Sequence, residues 1–265
     1  MEEEKRYALL IDADNVSSKY IDIVTKEAQL FGNVTIRRIY GDWTSNLKNS
    51  WKECLLNNAL SPIQQYSYTT GKNSSDAALI IDAMDILYTD NVDGFILVSS
   101  DSDFTRLAMR LRESGKHVVG MGESKTPTPF VRACEQFKTL DVLYKNAMEQ
   151  KKKPTPRVAK KKIRVVNNEP ENMNETEQAE PITNLRAIKT TILSLLDENS
   201  DEDGWMYLSE LGNMVQKTYS DFDCRNYGYA KFGKMIESFP EFQTRKDDSS
   251  NGITKIVLVR KREEI

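Results

Sequence analysis

The sequence predicts an α/β fold: a Rossmann-like, mostly parallel sheet with helices on both faces, followed by a small helical domain closed by a hairpin. Three observations lead there. Apolar strand patterns alternate with helical patterns over the first half of the chain, which is the signature of strand-helix-strand units. The alternation stops at a Lys-rich and then Glu-rich stretch without any core-forming period. A second, shorter set of helical stripes ends in an alternating segment near the carboxyl end.

Taken in order, strands are expected at 6–12, 34–41, 62–68, 94–99, 117–121 and 136–140, and helices at 16–31, 44–58, 75–89, 103–114 and 126–134. The first strand is the apolar run Tyr7-Ala8-Leu9-Leu10-Ile11, which ends abruptly in Asp12-Ala13-Asp14-Asn15. Ser74 or Ser75 is the expected N-cap of the third helix, which places Asp76 in its first turn, where the helix dipole favours an acid. The fourth strand is the run from Gly94 to Val98, and it ends in Ser99-Ser100-Asp101-Ser102-Asp103. In the helix that follows, Phe104, Leu107, Ala108 and Leu111 share one face, and Gly115 closes it.

Residues 151–164 then carry eight Lys and Arg with two Pro, and residues 169–180 carry five Glu among Asn and Gln. A disordered charged linker is expected over 149–183, between a first domain at 1–148 and a second at 184–262. In the second domain Leu185, Ile188, Ile192, Leu195 and Leu196 form one helical stripe, and Leu208, Leu211, Met214 and Val215 form another. A third helix fits 229–238, and Pro240 ends it. A polar turn at 247–252 separates two strand-like segments, so the layout is that of a winged helix with its third helix in the reading position.

The totals narrow the function classes. The chain has 265 residues and a formal net charge of −3, so a nucleic acid would have to be met by local basic patches. Three widely spaced cysteines form neither a disulfide framework nor a zinc knuckle and fit the reducing cytoplasm. His117 is the single histidine and lies in an apolar strand pattern, which argues against His-based zinc catalysis and against a Ser-His-Asp triad. The amino-terminal segment lacks an apolar signal core, and no stretch is apolar enough to span a bilayer, so no membrane association is expected.

The chemistry concentrates at strand ends. In an open parallel sheet the binding crevice lies at the carboxyl ends of the strands. Asp12 and Asp101, with Asp103 beside it, would meet there, and the start of the third helix would bring Asp76. An acid after a strand commonly caps the next helix, and some of these acids can cap and bind metal at once. Gathered carboxylates repel one another unless a hard cation sits among them, and their oxygens suit Mg²⁺ or Mn²⁺. Asp82 lies about 9 Å farther along that helix and supports the site rather than ligating.

These residues carry a resemblance. The Ile11-to-Asn15 start, the segment from Gly71-Lys72 through Asp76 to Asp82, and the Ser99-to-Phe104 signature resemble a NYN domain, a LabA-like branch of the PIN-like nucleases, over residues 6–141. The resemblance implies a PIN-type sheet and metal-dependent RNA cleavage, endonucleolytic in kind, with Asp12, Asp76, Asp101 and Asp103 as catalytic metal ligands. Asn15, Asp82, Lys72 and Ser99 would support them, although the Lys72-to-Asp76 spacing is one residue longer than the family's usual form.

Residues 184–260 resemble an OST-HTH/LOTUS domain, through Asp203-Gly204-Trp205, Leu208-Ser209-Glu210-Leu211-Gly212 and the run from Phe222 to Ile236. This resemblance implies RNA binding, single-stranded or structured and including G-rich RNA. The expected contacts are Arg225, Lys231, Lys234, Arg245 and Lys246, with delivery of RNA to the nuclease site across the linker. Two other readings remain at this level. One is a non-catalytic RNA-binding adaptor or silencing factor. The other is a haloacid-dehalogenase-like phosphatase, because Asp12-Ala13-Asp14-Asn15-Val16 also fits its nucleophile motif. Oligomeric state is not legible.

Overall fold

The computed structural model describes residues 4–44, 49–66, 74–89, 91–152, 183–248 and 255–262. The first domain is a six-stranded parallel sheet in the order β3-β2-β1-β4-β5-β6. Its strands are β1 (Arg6–Asp12), β2 (Asn33–Gly41), β3 (Ser61–Gln64), β4 (Gly94–Val98), β5 (His117–Gly122) and β6 (Gln136–Thr139). The helices between them are α1 (Ile21–Gln29), α2 (Asn49–Asn57), α3 (Ser74–Thr89), α4 (Thr105–Glu113) and α5 (Thr128–Ala133), and α6 (Leu140–Lys152) follows β6. Chain order reverses between β1 and β4, the topological switch point where such sheets open a crevice.

The central strands carry unbroken apolar runs, 7–11 in β1 and 94–98 in β4, because both faces of the sheet are covered. Ala8, Leu10, Phe95 and Leu97 face one core with Leu79 and Ile86 of α3 and Leu107 and Leu111 of α4. Leu9, Ile11, Ile96 and Val98 face the other with Ile21 and Val24 of α1 and Leu140 of α6. Gly94 is required where the strands lie tightest, since an added Cβ would fall 2.6 Å from the His117 carbonyl oxygen.

The expected strands agree with those observed to within a few residues, except that β3 is shorter, ending at Gln64; part of the expected strand at 62–68 lies outside the described residues. The first helix is split: a 3-10 turn (Ser18–Tyr20) precedes α1, and the segment expected to start at 16 becomes helical only at 18. The helix expected over 44–58 is described only from Asn49. The sequence pattern missed α6. Its buried Leu140 and Leu143 are followed by a polar run that merges into the lysines at 151–153, so its apolar stripe is too short to stand out. The expected boundary at 148 falls inside this helix, and most of the expected linker, 153–182, lies outside the described residues.

The second domain is α7 (Leu185–Asn199), β7 (Met206–Tyr207), α8 (Leu208–Thr218), a 3-10 turn (Cys224–Tyr227), α9 (Phe232–Glu237), β8 (Phe242–Asp248) and β9 (Lys255–Lys261). Its antiparallel sheet runs β7-β9-β8 and closes a core of Ile188, Ile192, Leu211, Val215, Met235, Ile236 and Val259. This is the expected winged helix. Its third helix is shorter than 229–238 because Lys231, at φ −148° and ψ 146°, is still extended backbone and caps a helix that begins only at Phe232. The two-residue β7 carries too little alternation to be read from sequence.

The second domain packs against the β6 edge of the first. The Phe137 amide donates to the Ser220 carbonyl at 2.7 Å, and Ser220 Oγ donates to the Val131 carbonyl at 3.0 Å. An open strand edge is a template for unwanted pairing, and this loop covers it. No helix among the described residues is long and apolar enough to cross a membrane.

Candidate functional site

Asp12 ends β1 and Asp101 follows β4, so the switch point brings them together, and Ser99 joins them. Ser99 Oγ donates to Asp12 Oδ2 at 2.8 Å and accepts from the Asp101 amide at 3.1 Å. Asp12 is 1% exposed, and its carboxylate also accepts from the Asp14 amide at 3.0 Å and from Asn15 Nδ2 at 2.7 Å. Burial raises its pKa; the hydrogen bonds from Asn15 and Ser99 oppose that rise without cancelling it. The loop after β4 is shaped by Asp101 itself, whose Oδ1 accepts from the Asp103 amide at 2.9 Å and caps the 3-10 turn Ser102–Phe104. Gly122, at the end of β5, admits this loop: a Cβ there would lie 2.5 Å from the Ser99 carbonyl oxygen.

α3 supplies the opposing acid. Asp76 sits in its first turn and is 6% exposed. One oxygen each from Asp76, Asp101 and Asp103 lies within 4.8 Å of the others. Among the described residues no hydrogen-bond donor reaches the Asp76 carboxylate. Burial, followed by the charges of Asp12, Asp101, Asp103 and Asp14, pushes its pKa up to about 6. Oxygen-only donors at this separation are the donor set that Mg²⁺ or Mn²⁺ takes.

The predicted residues thus fall into layers. Asp76, Asp101 and Asp103 form the three-oxygen cluster. Asp12 stands behind it, with its oxygens turned to Ser99, Asn15 and the Asp14 amide. Asp82 lies farther along α3, where it accepts from Arg38 and from the Tyr40 hydroxyl, both on β2. That contact ties α3 to the sheet and holds Asp76 over the crevice; burial, and after it the Asp82 carboxylate, push the Tyr40 phenol well above its ordinary range. Arg38 and Tyr40 escaped the sequence reading because their partner is more than forty residues away. Lys72 lies outside the described residues.

The residues expected to contact RNA are more scattered. Lys231 and Lys246 are exposed. Lys234 is paired with Glu237 at 2.6 Å. Arg245 is paired with Asp247 at 2.8 Å, and its guanidinium stacks 4.6 Å from the Trp205 ring centroid, with Arg260 at 4.7 Å from the same ring. Arg225 is half-buried and already engaged. It forms a two-pronged ion pair with Glu27 of α1, at 2.6 and 2.8 Å, and a second with Asp223. Glu27 is 3% exposed. Asp223 also receives Lys138 of β6 at 2.9 Å, and Asn146 of α6 donates to the Arg225 carbonyl at 3.0 Å. Burial works to raise the Asp223 pKa, but Arg225 and Lys138 outweigh it and hold the carboxyl well below its usual range. Arg225 is therefore an interdomain bridge. Its partner Glu27 is nearly two hundred residues away, so sequence pattern could not reveal it.

Residues 6–141 match the sequence model of the NYN domain, and residues 183–254 match that of the OST-HTH/LOTUS domain. An uncharacterized protein of Methanocaldococcus jannaschii is 27% identical over 123 residues, which is 45% of this chain and 48% of that protein; the match thus spans about half of that relative's length. A protein of unknown function from Vibrio parahaemolyticus is similar at 20% identity with a TM-score of 0.46, over 53% of this chain and 96% of that structure. An uncharacterized protein from Nitrosomonas europaea is 26% identical with a TM-score of 0.28, over 38% of this chain and 95% of that structure.

Proposed function

The chain belongs to the NYN domain family, and from that premise we propose that it is a metal-dependent ribonuclease of endonucleolytic type, working in the cytoplasm with a LOTUS domain that binds the RNA. The pairing of a nuclease-like domain with an RNA-binding domain supports a role in RNA processing or turnover. The observation that carries the catalytic reading is the group of three carboxylates, Asp76, Asp101 and Asp103, converging within 4.8 Å at the sheet's switch point.

In this reading Asp76, Asp101 and Asp103 hold Mg²⁺ or Mn²⁺. A bound divalent ion of this kind lowers the pKa of a water and stabilises charge on phosphate oxygens. Asp12 positions the Asp101 loop through Ser99, and Asn15 keeps Asp12 oriented. Asp82, clamped by Arg38 and Tyr40, fixes the height of α3 and hence of Asp76. Without a cation the acids repel an RNA backbone, so substrate binding at this point is coupled to metal. No histidine is required.

Asp12 is poorly suited to be the nucleophile of a phosphatase. Both its oxygens accept hydrogen bonds and it is almost wholly buried. The test of the nuclease reading is incubation of structured and single-stranded RNA with the purified chain, with Mn²⁺, Mg²⁺ or a chelator, beside a matched Asp101→Asn protein. Cleavage that needs metal and vanishes in the variant supports it. Equal cleavage by both proteins, or none under any condition, refutes it and leaves a non-catalytic RNA-binding role.

A further inference from the structure

Between the two domains runs a cleft of about 1340 Å³. That exceeds the roughly 300–1,000 Å³ typical of small-molecule sites and suits a length of polymer. One wall is α5 and the loop into β6, and the other is the end of α8 and the turn after it. Its walls are fixed by the contacts that dock the domains: Arg225 to Glu27, Lys138 to Asp223, and the Phe137 amide to the Ser220 carbonyl.

The charges in the cleft are unevenly satisfied. Its two acids are already engaged: Glu135 with Arg112 at 3.9 Å and His117 at 3.8 Å, and Asp221 with the Thr183 amide and hydroxyl. Of its Arg and Lys side chains, Arg112 is engaged with Glu135, and the other two are not. Arg132 on α5 and Lys217 on α8 stand on the two opposite walls, both exposed, and neither side chain has an ion-pair or hydrogen-bond partner among the described residues. On the face of α9 and the wing, Lys234 and Arg245 are each paired with a carboxylate, while Lys231 and Lys246 are exposed. The rest of the lining is rich in amides and hydroxyls, among them Asn213 and Gln216, side chains suited to the edges of unstacked bases.

The wall of the cleft is in contact with the loop that carries the acids. Ser124 and Thr128, beyond the carboxyl end of β5, belong to its lining. The neighbouring Glu123 amide donates to Ser100 Oγ at 2.9 Å, and Ser100 directly precedes Asp101. Phe130 of α5 packs against Phe104 of the loop that carries Asp103, with ring centroids 6.5 Å apart.

We propose that the interdomain cleft is the channel along which single-stranded RNA reaches the acid cluster, with Arg132 and Lys217 holding its phosphates and Asn213 and Gln216 facing its bases. This rests on the ribonuclease reading and adds the route and strandedness of the substrate. It also makes the second domain one wall of the substrate channel, held at a fixed distance from the acids.

The test is fluorescence anisotropy with a fluorescein-labelled single-stranded RNA dodecamer, in chelator, on the full chain carrying Asp101→Asn so that the probe survives. Adding Arg132→Glu and Lys217→Glu is expected to weaken binding at least about tenfold and to flatten the dependence of log affinity on log salt by about 1.4, the slope for two phosphate contacts on a single strand. Both positions are exposed, so the melting temperature should not move; if it does, Arg132→Gln with Lys217→Gln is measured instead, with the same slope change expected. Unchanged affinity in the cleft variant, with loss on Lys231→Glu and Lys234→Glu, overturns the channel and leaves the RNA-binding reading standing on the third helix. Absence of any salt-dependent binding by the parent chain overturns the channel and the RNA-binding reading together, whereas the metal-dependent cleavage assay above stands or falls by itself.

Discussion

Replacing Asp76 with asparagine should make the metal-free protein more stable at neutral pH, even though it damages the site. Asp76 is buried among Asp12, Asp101, Asp103 and Asp14, and its pKa is pushed up to about 6 from the ordinary 3.8 of an aspartate. A carboxylate raised in the native state favours folding while it is protonated. Its contribution is complete below the unfolded pKa, near 4, and is lost as pH rises through about 6. A shift of about two units corresponds to at most about 3 kcal/mol. The cluster opens to solvent at Asp103, so screening reduces the usable part to about 1–2 kcal/mol. Asparagine keeps the shape and removes the charge. At pH 7.5 in chelator, Asp76→Asn should therefore melt higher than the unmutated chain by roughly 3–6 °C, and the two should converge by pH 4. Other carboxylates titrate over the same interval, so the quantity that matters is the difference between the two proteins. Differential scanning fluorimetry from pH 4 to pH 8 measures it. A variant that is less stable at every pH, or whose advantage does not change with pH, would show that Asp76 is not held under repulsion, and the argument for a cation there would lose its physical basis.

Further outcomes follow from the same geometry. Millimolar Mn²⁺ or Mg²⁺ should raise the melting temperature of the unmutated chain and much less that of Asp76→Asn, because a ligand that binds only the native state stabilises it by mass action. Since the metal competes with the proton on Asp76, calorimetric Mn²⁺ affinity should fall about tenfold from pH 7.5 to pH 5. Asp101→Asn should abolish metal-dependent cleavage with the circular-dichroism spectrum unchanged; residual turnover at the unmutated rate would remove Asp101 from the ligand set. Arg225→Ala should leave Glu27 buried without its partner and weaken the docking of the domains by about 2–4 kcal/mol, read as the appearance of a second, earlier melting transition.

The parts of this protein that sequence makes legible are those whose cause is local. The apolar runs of β1 and β4 announce strands buried on both faces, and each stops at an acid because the chain leaves the core there. Asp76 is visible for a similar reason, since the helix start, observed at Ser74 where Ser74 or Ser75 is the expected cap, fixes its place in the first turn of α3. Parallel-sheet topology then brings the ends together, so three of the four predicted acids converge and the fourth lies directly behind them. What sequence hides depends on long-range contact. Ser99 as the link between Asp12 and Asp101, the clamp of Arg38 and Tyr40 on Asp82, and the pairing of Arg225 with Glu27 all join residues dozens to hundreds of positions apart. Arg225 is the instructive case. In sequence it is one more cation in an RNA-binding domain, and only the three-dimensional structure reveals a buried carboxylate from the other domain waiting for it.

The bridge at Arg225 bears on how the second domain serves the first. A domain on a flexible tether acts by raising the local concentration of what it carries, and the gain falls as the tether lengthens. A domain fixed by buried ion pairs and a backbone hydrogen bond acts instead by orientation. If the chain is the ribonuclease proposed above, part of the entropy of bringing RNA to the acids would be spent in folding, and the direction of approach would be set before substrate arrives. The two cases differ in a measurable way. Lengthening the segment between α6 and α7 should lower the cleavage rate of a tethered pair gradually and should leave a docked pair almost unchanged. Breaking the docking with Arg225→Ala should reverse this, making the rate sensitive to the length of that segment. If the rate depends on segment length in the unmutated chain as strongly as in the variant, the ion network contributes stability without orienting the substrate.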